Sequence, residues 1–190
     1  MTQTRRRRSP LLFFAVFTTL AALALLLYVR SPLGRLRMLL GGHTLALLDR
    51  VDQAQVYRID PDWVQNPQGQ VIGQCRLENG VDFKGFVITA TGRAQGRADL
   101  VPLMETLRDA RTYQDMRQEC DFSPTVAYRL RAGDAAIEVL LDFQCNRLQL
   151  LARDAHGKAG RPVYGNLDRA HMPLAVLTHR AFPGDPQAAP

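Results

Sequence analysis

The chain has 190 residues, 46% of them hydrophobic, and a net charge of +6 from 24 basic and 18 acidic side chains. Five arginines and no acids fall in residues 1–30, so the remainder is close to neutral, and its interleaved charges argue against the concentrated basic face of a nucleic-acid-binding domain. The length allows a single core and excludes two.

The N-terminus sets Arg5, Arg6, Arg7 and Arg8, then Ser9 and Pro10, ahead of nineteen uncharged residues from Leu11 to Val29, closed by Arg30. A helix of that length spans about 28 Å, close to the hydrocarbon thickness of a bilayer. We therefore expect a basic flank at 1–10 and a transmembrane helix at 11–29. The alternative is a signal peptide cleaved near Ala22–Ala24. The run is longer than a signal core and ends without a small-x-small site, which favours a retained span. The first cysteine is Cys75, too far on for a lipid-modified N-terminus. The positive-inside rule puts the N-terminus in the cytoplasm and the chain beyond about residue 31 outside. In a bacterium this is an inner-membrane protein with a periplasmic domain. Tyr28 occupies the place of an interfacial aromatic.

Residues 31–50 form a leucine-rich juxtamembrane segment, with Leu36, Leu39, Leu40, Leu45 and Leu48 interrupted by Gly41-Gly42. It reads as a short helix packed on the domain or lying at the lipid surface. The domain itself is placed at 51–183, with a flexible tail at 184–190. Gln53–Asp60 reads as a first strand stopped by Pro61. Residues 61–82 read as a long connection, with a short strand at Val71-Ile72. Phe83–Thr91 reads as a second strand with Phe86, Ile88 and Ala90 on one face, and Gly92–Gly96 as a turn. Residues 98–112 hold the clearest helix: Leu100, Leu103, Met104 and Leu107 follow helical spacing, with Asp99 early and Arg108 and Arg111 late.

Residues 122–131 and 135–150 read as a hairpin, each arm alternating apolar and polar positions. The apolar parity changes after Cys145, which signals a bulge or an end to pairing. Residues 153–160 form a polar loop, 161–164 a fifth strand, and 171–180 a last helix with Pro173 in its first turn and Leu174, Leu177 and Val176 facing inward. The expected fold is α+β: the transmembrane helix, then an antiparallel sheet of four to five strands with one or two helices on one face.

A hairpin turn centred on Ala132-Gly133 makes paired residue numbers sum to 265, which sets Cys120 opposite Cys145. Directly opposed strand residues lie within disulfide reach, and an oxidising compartment favours the bridge. Reduced core cysteines, or a redox or metal pair, are the competing readings; two cysteines make an incomplete zinc site, and no C-x-x-C is present. The histidines His43, His156, His171 and His179 show no ligand spacing. Cys75 is the odd thiol, buried or free for an intermolecular bridge.

The run Cys120-Asp121-Phe122-Ser123-Pro124, then Arg129, then Val139-Leu140-Leu141-Asp142-Phe143-Gln144-Cys145, with Leu174, Leu177, Phe182-Pro183 and Asp185 beyond, resembles a pattern in small uncharacterised bacterial cell-envelope proteins. There a Cys-x-Phe-x-Pro segment precedes a strand ending in Cys-Phe-x-Cys. The resemblance covers residues 85–185 and implies an envelope domain without naming an activity. Asp142 stands where the pattern has a cysteine, which removes a three-cysteine ligand set.

Catalytic chemistry has little footing. Ser123 is the one serine beyond the juxtamembrane segment, and it lies outside any G-x-S-x-G turn. No G-x-G-x-x-G or Walker loop is present. Glu105 and Asp109, four apart, read as a solvated helix face among arginines. Asp60, Asp62 and Trp63 read as a strand-end turn with a packing tryptophan. The sequence thus points to a membrane-anchored domain that binds, with no catalytic residue, metal or cofactor and an envelope protein as the expected partner. The alternatives are a thiol redox or sensor protein using Cys120 and Cys145, and a small-ligand binder with a pocket between sheet and helix.

Overall fold

A computed structural model describes residues 10–60, 86–114 and 120–184, without the side chains of 10–13 and 87. The expected strand at Val71-Ile72, the residues Asp62, Trp63 and Cys75, and the tail beyond Gly184 lie outside this range.

Two helices open the chain, α1 (Pro10–Arg30) and α2 (Pro32–Arg50). Ser31 sits between them. Its hydroxyl donates to the Tyr28 carbonyl at 2.6 Å and accepts the Gly34 N–H at 3.0 Å, while Pro32 supplies a first helical position that needs no donor. Gly34 is packed so closely on α1 that a Cβ there would lie 1.9 Å from the Tyr28 carbonyl oxygen. The result is an elbow of 75°. Within α2, Gly41 takes φ +78° and ψ 153°, a conformation open essentially only to glycine, and breaks the helix in two.

The sheet follows: β1 (Gln53–Asp60), β2 (Val87–Thr91) and β3 (Gln95–Gly96), then α3 (Val101–Arg108) and a 3-10 turn (Ala110–Tyr113), then β4 (Val126–Ala132), β5 (Ala135–Asp142), β6 (Arg147–Arg153) and β7 (Val163–Asn166), closed by α4 (His171–Ala181). All pairings are antiparallel, in the order β2-β1-β4-β5-β6-β7, with β3 beside β2 along the outer edge of β1.

The α+β class and the antiparallel sheet are as expected, but among the described residues the sheet has seven strands rather than four to five. Residues 92–96 do more than turn: Gln95-Gly96 pairs with Gln53-Ala54. The long second arm is two strands, because Phe143–Asn146 turns the chain and Asn146 adopts φ +50°. The first helix after β3 is shorter than its apolar spacing suggested. Asp109 turns extended and ends α3, and its carboxylate then accepts the Arg111 N–H to open the 3-10 turn. A bulge also separates Ile88 from Ala90: Arg58 pairs with Ala90 and Ile59 with Ile88, so the two side chains fall on opposite faces.

One face of the sheet carries Val56, Tyr128, Leu130, Ile137, Val139, Leu141, Leu148 and Leu150. Against them pack Leu47 and Leu48 of α2, Leu103 and Leu107 of α3, and Leu174 and Leu177 of α4, all buried. Three helices thus share this face, where one or two were expected. Each such side chain contributes about 1.5–3 kcal/mol of burial. Val176 is exposed instead, on the outer side of α4. The Tyr128 and Thr178 hydroxyls meet at 2.9 Å, joining α4 to the middle of the sheet. The last carbonyls of α4 receive donors from the β2–β3 segment, Arg93 N–H to Ala181 at 2.8 Å and Gln95 Nε2 to Leu177 at 3.0 Å. A second, smaller apolar cluster, built on Tyr57, Ile59, Ala127 and Leu140, lies on the other face.

Among its described side chains, from Phe14 to Arg30, α1 takes no part in either cluster. Among the described residues, no single helix is long and apolar enough to cross a membrane; from Phe14 onward, α1 and α2 pass that test only as a bent pair.

Candidate functional site

Two features stand out: a cysteine corner at one end of the sheet, and a cleft beside it.

Cys120 and Cys145 form a disulfide with Cα atoms 5.9 Å apart. The pairing agrees with the sequence reading, but the geometry behind it does not. The β4–β5 turn is Gly133-Asp134, with Ala132 opposite Ala135, so paired numbers sum to 267 and the ladder ends at Val126–Leu141. Both cysteines lie beyond it. Cys120 is in the segment leading to β4 and Cys145 is in the β5–β6 turn. The bridge clips a turn to an incoming chain rather than two opposed strand residues.

The organising side chain is Asp142, which is fully buried. Its Oδ1 accepts the backbone N–H groups of Gln144 and Cys145, each at 3.0 Å, and its Oδ2 accepts the Ser123 N–H at 2.7 Å. One carboxylate therefore shapes the turn that bears Cys145 and holds the strand that follows Cys120. Sequence reasoning weighed Asp142 only as a missing ligand. The signal available was the spacing: an aspartate two and three residues before backbone donors is a turn former. Arg147, opposite Asp142 on β6, donates to the Cys120 carbonyl at 2.7 Å and lies over the Phe122 ring, 5.9 Å from its centroid. Phe122 meets Tyr164 edge to face at 6.1 Å. On the far side of the turn, Asn146 accepts the Leu167 N–H at 2.7 Å through its carbonyl and hydrogen-bonds His171 Nδ1 through its side chain.

His171 leads α4 towards a cleft of about 800 Å³ between α3 with its 3-10 turn and the β7–α4 connection. Glu105, Asp109 and Asp168 line it together with Arg108, Arg111 and Arg169, three charges of each sign. Arg111 is bound to Asp109, with a shortest contact of 2.7 Å, and Arg108 reaches Asp49 at 2.9 Å. The hydrogen bond from Arg111 holds the Asp109 carboxyl below its usual range. Glu105 and Asp109 share the cleft wall, and Asp109 is ion-paired with Arg111. This cavity lies between α3 with its 3-10 turn, the end of β7 and the start of α4.

His43, His156 and His179 are exposed, and Ser123 contributes only its backbone N–H to Asp142. Among the described residues, no group of three or more His, Cys, Asp or Glu side chains is placed to hold a metal ion. Comparison with protein families, curated proteins and solved structures finds no significant match.

Proposed function

We propose that this chain is a single-pass, membrane-anchored accessory domain of the bacterial cell envelope, acting by binding, with α1 in the inner membrane and the sheet domain in the periplasm. One observation carries the reading. α1 exposes Phe14, Phe17, Leu20, Leu25 and Leu27, each more than half accessible, and lends none of them to the domain's core. A helix that is apolar all round is covered in the cores of large proteins or in membranes. Here the domain covers its own core with α2, α3 and α4 and leaves α1 out. The four arginines before α1 support the orientation, and the disulfide supports an oxidising compartment. The resemblance of the Cys120–Pro124 run to envelope proteins points the same way.

The test is flotation and alkaline extraction of membranes from expressing cells, with the N-terminus mapped by mass spectrometry. An intact chain retained in the alkali-washed pellet is expected. A chain released by alkali, or cleaved near Ala22–Ala24, overturns the anchor.

The exposure of Cys120 favours one alternative, a thiol switch at the same corner. That reading requires the bridge to open under mild reductant in the folded protein, with a Cys145→Ala phenotype beyond lost stability.

A further inference from the structure

We propose that the first half of α2, Pro32–Leu40, lies in the headgroup layer of an anionic bilayer and holds the domain against the membrane. The inference rests on the reading of α1 as a membrane span. With α1 along the bilayer normal, the 75° bend between Phe14–Arg30 and Pro32–Arg50 turns α2 as a whole away from the normal and towards the membrane plane, the direction an interfacial helix takes. The elbow is built rather than loose: Ser31 ties both helices, and Gly34 is pressed on the Tyr28 carbonyl.

The faces of the half-helix are divided accordingly. Leu36 and Leu40 are buried in the domain core. Met38 lies about 200° around the helix from each of them, on the opposite side, and is 61% exposed. Arg35 and Arg37 flank it, both exposed, and Arg30 stands at the elbow. The Gly34 side, next to this face, is the side on which α1 docks. The surface turned away from the domain and towards the departing α1 therefore presents Met38, with the exposed Leu39 beside it, among cations. Its acid-free charge complements phosphate headgroups, and arginine stems can lie along the acyl boundary while their heads stay wet.

The full chain, in a Cys75→Ser background, is reconstituted in vesicles of phosphatidylcholine with phosphatidylglycerol. A spin label is placed at Met38→Cys, and a reference label at Asp134→Cys in the β4–β5 turn. Collisions with oxygen and with a water-soluble nickel chelate are then measured, and flotation is scored on the same samples. The expected result is a floating protein whose label at 38 loses nickel collisions relative to 134 and keeps oxygen collisions. The double variant Arg35→Glu/Arg37→Glu should restore nickel access at 38. A floating protein with equal nickel access at both sites overturns this inference and leaves the anchor standing. Shielding at 38 from both reagents marks a protein contact, and shielding unchanged by the double variant removes the role of the arginines; either also overturns it. A protein that does not float overturns the anchor and this inference together.

Discussion

The carboxylate of Asp142 accepts the backbone N–H of Cys145 at 3.0 Å, three residues further along the chain. The same group also binds the N–H of Ser123 across the gap that the disulfide closes. The covalent clip and the buried carboxylate therefore restrain the same two segments.

Asp142→Ala should be among the most destabilising substitutions in the domain. It removes the buried acceptor of three part-buried backbone donors, a loss of about 3 kcal/mol. Asp142→Asn keeps one acceptor oxygen and should lose about half as much. Urea unfolding followed by circular dichroism measures both, and unchanged midpoints would show that the turn holds without the carboxylate.

Removing the disulfide should lower stability by about 3.5 kcal/mol, the loop-closure value for cysteines 25 residues apart. Asp142 already restrains the turn, so Asp142→Ala and Cys145→Ala should not be additive. A double-mutant cycle reports this directly. Strict additivity would separate two elements that the geometry joins.

Two of the three glycines of α2, Gly34 and Gly41, should respond differently. Gly41→Ala meets nothing within 4 Å, so its cost is the backbone conformation alone, about 2 kcal/mol in thermal unfolding. Gly34→Ala drives a Cβ into the Tyr28 carbonyl and should open the elbow. Pulsed spin-label distances between Phe17→Cys and Asp134→Cys, in a Cys75→Ser background, should shift for Gly34→Ala. An unshifted distance would mean that the packing of Gly34 does not set the angle.

Alkaline pH should unfold the domain. Burial raises Tyr113 and Tyr128 well above the ordinary tyrosine range, and it raises Tyr57 as well, against the pull of Arg129 and Arg131. The unfolded chain releases these protons at about pH 10 while the folded chain keeps them. Above that pH the unfolded state binds fewer protons, so stability is full below about pH 10 and falls as pH rises further. Tyr128→Phe should cost about 1 kcal/mol at neutral pH, through the lost bond to Thr178, and should flatten the alkaline slope. An identical slope in the variant would remove Tyr128 from the titration.

Local pattern was enough for much of the architecture. The alternation in Val126–Ala132 and Ala135–Asp142, the bounds of β1 at Gln53–Asp60, the spacing of Leu103 and Leu107, and Pro173 ahead of Leu174 and Leu177 each commit a short segment to its element without help from elsewhere. These properties depend on neighbours a few residues away, and the sequence alone determines them. The partnership of Cys120 and Cys145 was also legible, although a register off by two residues led to it. The rest needed the tertiary structure. Hairpin register follows from which residue takes positive φ, and here it is Gly133, with Asp134 completing the turn. Composition around Ala132-Gly133-Asp134 does not distinguish the two placements. The brief pairing of Gln95-Gly96 with β1 and the bulge that separates Ile88 from Ala90 come from segments far apart in the sequence. Asp142 shows the same limit at the site. On its strand it is one more residue of an alternating row, and only the chain returning at Ser123 makes its carboxylate the centre of the corner.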